Sequence, residues 1–307
     1  MVVELRVEPV TTPMTWRQFC KKSPAYSIAL DGFLNEGPKL DHKTPRANFD
    51  HHHGVSRLET RATCAQVLMA VRMGLFDLFQ ESNEPKAIVF ANDCDQDVCT
   101  AWTILKHSYL AKSTMNPVLN RLVDIEDKLD ATGGAYPYPD DLPVLQQLAW
   151  VYEPYTQFRL SGGLEQHSSS AFSSIITDVE NRIIRYIPGN GSSVTLNTEY
   201  KVLGSGNGWI IVDEIGAQAK TGIFSDGIKA FLSVKERKDG RYGYILGRMS
   251  EFIPFPLPEL LDDFKKAEGK QKDQWGGATT IIGSPRINGS KLKPEDVIEI
   301  IKQRVPD

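Results

Sequence analysis

The chain of 307 residues has few cysteines and no long apolar run. Its four cysteines form no CxxC pair, so the sequence favours a reduced, cytoplasmic protein over a disulfide framework. Apolar runs such as Ala87–Ala91 and Trp209–Val212 are only a few residues long, whereas a membrane-spanning helix needs about 20. The first residues contain no apolar stretch followed by a small-residue cleavage site, which predicts that there is no signal peptide.

A large excess of charge of one sign is also absent, because the formal net charge is −4. Proteins that wrap long nucleic acid neutralise many phosphates with Lys and Arg, so this charge argues against long DNA as a partner. Hydrophobic residues make up 41% of the chain and charged residues 24%, as in soluble globular proteins, and the length suits two domains. The composition leaves a homo-oligomer open.

Short apolar segments alternate with helical patterns in the first half of the chain. This alternation predicts an α/β domain over residues 1–187, built on a doubly wound parallel sheet. The predicted strands are Tyr26–Leu30, Ala47–Phe49 and Ala87–Ala91. The predicted helices are Thr60–Leu78, Thr100–Leu110, Pro117–Leu129 and Glu165–Tyr186, the last of which (about 165–186) would link to a second domain.

Residues 188–193, rich in glycine and serine, break the pattern and mark a domain boundary. A smaller α+β domain is predicted over residues 194–307. Its predicted strands are Gly208–Val212, Ala230–Val234, Tyr242–Gly247 and Thr279–Gly283, and its predicted helices are Leu257–Glu268 and Pro294–Gln303.

Polar clusters follow the predicted strands of the first domain. They are Asp31, the run Asp50-His51-His52-His53, and Asp93-x-Asp95-x-Asp97. Ligands of open parallel sheets bind at the carboxyl ends of the strands, so we expect these side chains to converge. Imidazoles and carboxylates suit divalent transition metals, and three closely spaced carboxylates repel one another unless a cation offsets them. The alternatives are a solvated histidine run and a polar turn.

A fourth acidic segment, 124–130, lies on a predicted helix. Helical spacing places Asp124 and Asp127 on one face and Asp127 and Asp130 on the next; alone, this pattern is typical of an exposed acidic helix end. The D-x-D-x-D pattern does not fit a calcium-binding EF-hand, because Val98 stands where that loop needs glycine and its twelfth position carries no glutamate. Together, the four elements indicate a two-metal site.

Asp50-His51-His52 after a strand, the D-x-D-x-D strand end and the upstream Asp31 resemble the DHH phosphoesterase superfamily, as does the helix start at residues 60–63. This superfamily includes RecJ-type exonucleases, short-oligoribonucleotide hydrolases and family II pyrophosphatases. In it, the D-x-D motif normally precedes the DHH motif. Here the order is reversed, so the resemblance implies either a circularly permuted sheet or a different role for one of the motifs.

The C-terminal half resembles the substrate-binding part of the same superfamily. The segment 247–250 is similar to a strand that carries a substrate-binding arginine and serine, and segments 275–277 and 283–286 are similar to a glycine-rich phosphate-binding loop. Such a loop brings backbone N–H groups close to an anion, and an arginine can clamp it. An ordinary turn is the alternative for these glycines. The substrate-binding candidates are Arg57, Arg248, Ser250, Gly276, Gly277, Ser284 and Arg286.

The resemblance implies hydrolysis of a small phosphoester, such as a dinucleotide or short oligonucleotide, with two Mn²⁺ ions, or with Mg²⁺ or Co²⁺ in their place. The metal ligands would be Asp31, His51, Asp93, Asp95, Asp97 and one of Asp127 and Asp130. The catalytic candidates are Asp50, His52 and His53, and the two histidines would contact the phosphate or protonate the leaving oxygen. The alternatives are a pyrophosphatase or exopolyphosphatase that hydrolyses a phosphoanhydride, and a non-catalytic nucleotide sensor.

Overall fold

The structure, a computed structural model, describes residues 2–9, 12–112, 116–269 and 273–306. It is a mixed α/β protein with two sheets, which confirms the α/β class. The chain divides into a first unit of residues 1–131 and 146–194 and a second unit of residues 132–145 and 195–307. The segment 132–145 therefore groups with the second unit, although it lies inside the predicted domain 1–187.

The first sheet and its helices come mainly from the first two hundred residues. The strands are β1 (Val2–Val7), β2 (Ser27–Leu30), β3 (Lys39–Asp41), β4 (Arg46–Phe49), β5 (Gln80–Glu81) and β6 (Glu84–Ala91). The helices are α1 (Trp16–Lys22), α2 (Thr63–Arg72), α3 (Leu75–Leu78), α4 (Gln96–Lys106), α5 (Ser108–Lys112), α6 (Pro117–Ala131), α7 (Pro143–Val151), α8 (Glu153–Leu160) and α9 (Ser169–Tyr186), with a 3₁₀ turn at Leu164–Gln166.

The main path of this sheet has the order β1-β6-β2-β4-β3, with β5 paired to β6. Strands β1, β6, β2 and β4 are parallel, whereas β3 and β5 pair antiparallel to their neighbours. All four residues of β2 are buried, which explains why this short strand is uniformly apolar apart from Ser27. The parallel pairing brings the ends of β2, β4 and β6 to one edge of the sheet, and a polar segment follows each of them.

The predicted helix Thr60–Leu78 is split in two. Gly74 separates α2 from α3 and has a φ of 103°, which side chains with a Cβ rarely adopt. A Cβ on Gly74 would also lie 2.8 Å from Oδ2 of Asp77. The helical spacing of apolar residues continues from α2 into α3, and for this reason the sequence pattern predicted one helix where the structure has two.

The second unit contains an antiparallel sheet with one parallel pair. Its strands are β7 (Tyr200–Gly206), β8 (Trp209–Glu214), β9 (Ala230–Glu236), β10 (Tyr242–Arg248), β11 (Gly276–Gly277) and β12 (Ile281–Gly283), in the order β11-β12-β10-β9-β8-β7. Among the described strand pairs of this second sheet, only β8 and β9 are parallel. Its helices are α10 (Ala219–Ser225), α11 (Leu257–Glu268) and α12 (Pro294–Arg304).

Aromatic stacking forms the centre of the second unit's core. The ring of Trp275 stacks on Phe264 at 4.4 Å and on Tyr244 at 5.8 Å between centroids. These three side chains are almost fully buried. Because Trp275 directly precedes β11, its burial fixes where the two glycines Gly276 and Gly277 meet β12.

Two general properties concern the described part of the chain. None of its helices combines the length and apolar character that a bilayer crossing requires. All four cysteines are free thiols, and three of them are buried.

The two glycines of β11 make a matched test of the second unit. Gly277 has a φ of 143°, and a Cβ there would lie 2.3 Å from the backbone oxygen of Ile281, whereas a Cβ on Gly276 meets nothing within 4 Å. We expect Gly277→Ala to lower the free energy of unfolding by about 1–3 kcal/mol, and Gly276→Ala to change it much less. Urea unfolding of both variants measures the difference, and equal losses would contradict the placement of β11.

Candidate metal centre

Asp31 occupies a constrained position at the end of β2. Its backbone is left-handed, with a φ of 45°, a region in which aspartate is one of the few tolerated side chains. Its N–H donates to the oxygen of Phe49 at 2.9 Å, and Oδ1 accepts from the Thr63 hydroxyl at 3.1 Å. The carboxylate is therefore held between the ends of β2 and β4 and the start of α2.

Asp50 shapes the loop that follows β4. Its Oδ1 accepts from the N–H groups of Gly32 (2.9 Å) and His52 (3.1 Å), and its Oδ2 accepts from the N–H of His53 (3.2 Å). It is fully buried. Both oxygens of this predicted catalytic residue thus bind backbone, so the structure places Asp50 as the group that holds the histidine loop against the end of β2.

The buried imidazole of His51 is the centre of the acidic cluster. Its Nε2 lies 2.7 Å from Oδ2 of Asp130, 3.5 Å from Oδ1 of Asp31 and 3.9 Å from Oδ2 of Asp97. The four side chains come from the end of β2, the loop after β4, the first turn of α4 and the last turn of α6. The structure thus brings together Asp31, His51 and Asp97, which follow the predicted strands, and Asp130, one of the two ligands predicted on the acidic helix.

Arg57 lies inside this cluster. Its Nη2 is 3.0 Å from Nε2 of His51 and 3.4 Å from Oδ2 of Asp130. The residue is 8% exposed. A guanidinium is always charged and only donates hydrogen bonds, so Arg57, predicted as a substrate contact, supplies positive charge to the acidic cluster itself.

Two other predicted ligands bind the N-terminus of α2. Asp97 accepts from the N–H groups of Thr63 (2.7 Å) and Cys64 (2.6 Å), and Asp127 accepts from the N–H of Ala62 (2.6 Å). The first N–H groups of a helix have no partner within the helix and attract negative charge. No side chain of α2's own N-cap residue, Ala62, fills this role, so carboxylates from α4 and α6 do.

Asp93 and Asp95 sit at the turn between β6 and α4. Asp95 is the N-cap of α4, and its Oδ1 accepts from the N–H of Val98 at 2.9 Å. Oδ1 of Asp93 accepts from the N–H of Cys94 at 2.7 Å. Oδ1 of each carboxylate therefore accepts a backbone N–H, and neither residue belongs to the two groups of described side chains that have the spacing of a cation site.

The electrostatics show that negative charge is in excess. Burial raises the pKa of Asp95 well above its usual range, and the neighbouring Asp31 and Asp93 raise it further. Burial, with Asp130 and Asp31, raises the pKa of Asp97 to about 7. Closely packed carboxylates with raised pKa values indicate a site that gains stability when a cation binds.

The neighbouring carboxylates raise the pKa values of the histidines, which favours the charged form of each ring. Burial disfavours charge on the His51 ring, but Asp130 and Asp31 outweigh it and raise the pKa to about 9. Burial acts likewise on His52, where Asp31 and then Asp50 outweigh it and raise the pKa to about 11. Burial also disfavours the charged form of Asp31, yet the two histidines hold its pKa well below its usual range. In the absence of a metal ion, protonated imidazoles thus neutralise part of the cluster.

Two overlapping groups of side chains have the spacing of a cation site. One consists of Asp31, His51 and His52, and the other of His51, Asp97 and Asp130; within each group the donor atoms lie within 4.8 Å of one another. Ligands bound to one cation through bonds near 2.1 Å lie about 3.0–3.5 Å apart. The distances around His51 bracket this range, and carboxylate oxygens with imidazole nitrogen are donors that Mn²⁺ accepts. The residues therefore fit a divalent cation.

His53 lies at the edge of this region. Its Nδ1 is 3.4 Å from Oδ2 of Asp50, and its side chain is 39% exposed. That of His52 is 33% exposed, with its Nδ1 3.2 Å from both Asp31 and Asp50. The side chains of His52 and His53 are therefore accessible to solvent and to a small ligand, whereas that of His51 is buried.

Two residues that were not predicted as site residues, Thr63 and Glu126, belong to the cluster's surroundings. Thr63 orders Asp31 through its hydroxyl and Asp97 through its N–H. Glu126 is buried in α6, its Oε2 finds no hydrogen-bond partner among the described residues, and burial, with Asp130 and Asp97, raises its pKa well above its usual range. In the sequence, Glu126 could have been found from its spacing: it lies four residues before Asp130 and therefore on the same helix face.

Three of the predicted polar side chains of the second unit, those of Arg248, Ser250 and Ser284, bind backbone within that unit. The buried Arg248 donates through Nε to the oxygen of Thr279 at 2.7 Å and through Nη1 to that of Ile253 at 3.3 Å. Oγ of Ser250 accepts from the N–H of Phe252 at 3.3 Å. Arg248 thus stabilises the end of β10.

The loop 283–286 has a similar internal role. Oγ of Ser284 accepts from the N–H of Tyr244 at 2.9 Å, which joins the loop to β10. Arg286 is exposed, and its backbone oxygen accepts from the Arg237 guanidinium at 3.2 Å. Of the four polar candidates in this unit, Arg286 is the one whose side chain is exposed to solvent.

Comparison with known proteins adds no assignment. No protein-family model matches the chain, and no curated protein matches it.

A matched pair on α6 separates a helix-capping role from a ligand role for Asp127. Asp127 binds the N-terminus of α2, whereas Asp124 forms an exposed ion pair with Lys128. We expect Asp127→Ala to lower the free energy of unfolding by about 1–2 kcal/mol and Asp124→Ala by less than about 0.5 kcal/mol.

Mn²⁺ binding to the same two variants, measured by calorimetry, completes the test. Because neither group of described side chains with the spacing of a cation site includes Asp127 or Asp124, both variants should bind Mn²⁺ with nearly the wild-type affinity. A large loss of affinity in Asp127→Ala alone would make Asp127 a ligand, as the sequence analysis predicted.

Proposed function

We propose that this chain is a metal-dependent phosphoesterase, related to the DHH superfamily with a permuted motif order, that hydrolyses a short nucleotide or another small phosphoester. The observation that carries the proposal is the convergence of Asp31, His51, His52, Asp97 and Asp130 at one edge of a parallel sheet. Convergence is expected of a permuted sheet, because strand ends meet whatever their order along the chain. The parallel order β1-β6-β2-β4 supports the doubly wound arrangement for this unit.

Asp31, His51, Asp97 and Asp130 are the residues proposed to hold the cation. When bound, divalent ions such as Mn²⁺ acidify water and offset the charge of a phosphate. Asp97 is oriented by α2, and Asp31 is oriented by Thr63 and the β4 end, so neither carboxylate has to reorganise for binding. Preoriented ligands reduce the entropy lost when a cation binds.

His52 is proposed to act on the phosphate. Its Nδ1 faces Asp31 and Asp50, which leaves Nε2 as the ring nitrogen available to a substrate. The two carboxylates keep the ring protonated at neutral pH, so Nε2–H can donate to a phosphate oxygen or protonate the leaving oxygen. His53, whose side chain is 39% exposed, is proposed as a second phosphate contact on the same loop.

A small substrate agrees with the charge of the protein. The net charge of −4 offers little attraction to long DNA. A cytoplasmic location agrees with the free thiols.

Hydrolysis of three probes in the presence of Mn²⁺ tests the proposal. The probes are bis(p-nitrophenyl) phosphate, a dinucleotide and inorganic pyrophosphate, and we expect turnover of the first two. Asp31→Asn and Asp130→Asn should each reduce the rate more than about 100-fold, because each removes ligand charge. Asp124→Asn, on the same helix as Asp130 but paired with Lys128 at the surface, should retain the wild-type rate.

The other results separate the alternatives. Turnover of pyrophosphate alone would favour a phosphoanhydride hydrolase. Tight Mn²⁺ and dinucleotide binding without turnover of any probe would contradict the hydrolase and support a nucleotide sensor. Equal rates in wild type and Asp130→Asn would show that the acidic cluster is not the active site.

A further inference from the structure

Nε2 of His51 cannot form hydrogen bonds with Arg57 and Asp130 at the same time. Nε2 of an imidazole carries either one hydrogen or one lone pair in the ring plane. The Arg57 Nη2 at 3.0 Å can only donate, so it needs the lone pair, whereas the Asp130 carboxylate at 2.7 Å needs the hydrogen. Nδ1 of His51 is buried and finds no partner among the described residues, so no group on that side fixes the tautomer.

A cation bound to this cluster would use the same lone pair. His51 belongs to both groups with metal-site spacing, and the atom that faces Asp31, Asp97 and Asp130 is Nε2. Because Nη2 of Arg57 lies only 3.0 Å from Nε2, a guanidinium at this position and a metal ion coordinated by Nε2 exclude each other. The guanidinium is also buried beside the proposed ligand Asp130, so its charge opposes a dication nearby.

We propose that Arg57 is a built-in competitor of the metal ion: in the metal-free protein its guanidinium binds Asp130 and occupies the position beside Nε2 of His51, and it must leave that position before a divalent cation binds there. This inference rests on the metal site of the proposed function. Arg57 would then hold the donor atoms together in the metal-free protein, since without it the like charges of Asp130, Asp97 and Asp31 face one another with only the imidazoles between them.

The competition has a consequence for metal selectivity. An ion that displaces a guanidinium from imidazole must itself bind imidazole well. Divalent transition ions do so, whereas Mg²⁺ prefers oxygen ligands and retains its water. Arg57 therefore acts as a specificity-determining residue that disfavours Mg²⁺ relative to Mn²⁺.

Direct Mn²⁺ binding to the full chain, without substrate, tests the competition. Calorimetry or the electron paramagnetic resonance signal of free Mn²⁺ gives the dissociation constant for wild type, Arg57→Ala and Arg61→Ala. We expect Arg57→Ala to bind Mn²⁺ at least about tenfold more tightly, because a hydrogen bond to a charged group no longer has to break. Arg61→Ala is the matched control: it removes a nearby charge that is paired with Asp127, and it should change the constant little.

Adding free guanidinium to Arg57→Ala tests whether the effect of Arg57 on Mn²⁺ binding comes from filling the position beside Nε2 or from its charge acting at a distance. Low millimolar guanidinium chloride should weaken Mn²⁺ binding to Arg57→Ala towards the wild-type value, whereas the same concentration of sodium chloride should not. Neither salt should change Mn²⁺ binding to wild type appreciably. If Arg57→Ala does not fold by circular dichroism, Arg57→Met and Arg57→Gln preserve the side-chain volume and carry the same expectation.

The outcomes distinguish this inference from the proposed function. Tighter Mn²⁺ binding that guanidinium reverses supports the competition. Unchanged or weaker Mn²⁺ binding by folded Arg57 variants, or a gain equal to that of Arg61→Ala, overturns it while leaving the metal site intact. Failure of wild-type protein to bind Mn²⁺ at all would overturn the metal site, and with it both proposals.

The Mg²⁺ constant is measured on the same proteins. Loss of Arg57 should narrow the preference for Mn²⁺ over Mg²⁺, because the imidazole no longer has to be freed before an oxygen-preferring ion occupies the carboxylates. An unchanged ratio of the two constants would contradict the selectivity role.

Discussion

The candidate metal centre is built around hydrogen bonds between carboxylates and the first N–H groups of α2. Three successive N–H groups there, from Ala62, Thr63 and Cys64, bind carboxylates of Asp127 and Asp97. These bonds join α2 to α4 and α6 at the point where the helix carries its partial positive charge. Asp130 lies one turn beyond Asp127 on α6, and its carboxylate faces His51.

Buried negative charge explains the remaining architecture of the site. The first unit places several carboxylates at one sheet edge and offsets them in three ways: with backbone N–H groups, with protonated imidazoles and with the Arg57 guanidinium. Only the last two can exchange with a cation, because the backbone donors also hold the loop and helix in place. The proposed metal site rests on this division between fixed and exchangeable positive charge.

The fold was predictable where burial follows a simple period. Strands β2, β4 and β6 and helix α11 lie close to the segments expected from their apolar patterns. Strand β1 was not predicted, because it is an edge strand whose exposed Glu4 and Arg6 interrupt its apolar residues. The predicted helix at Glu165 begins instead at Ser169: Ser168 caps it, and His167 before it is left-handed with a φ of 47°.

The sequence by itself determined that acidic residues and histidines follow the strands of a parallel sheet, and this was enough to predict that Asp31 and His51 meet. Only the tertiary structure decided how each carboxylate is used. Asp50 binds its own loop, Asp97 and Asp127 bind amides of α2 that lie 34 and 65 residues away, and Asp130 faces the imidazole. The physical reason is that a carboxylate has the same spacing in a sequence whether its oxygens face a backbone N–H, a guanidinium or a cation, and the partner is set by packing between distant segments.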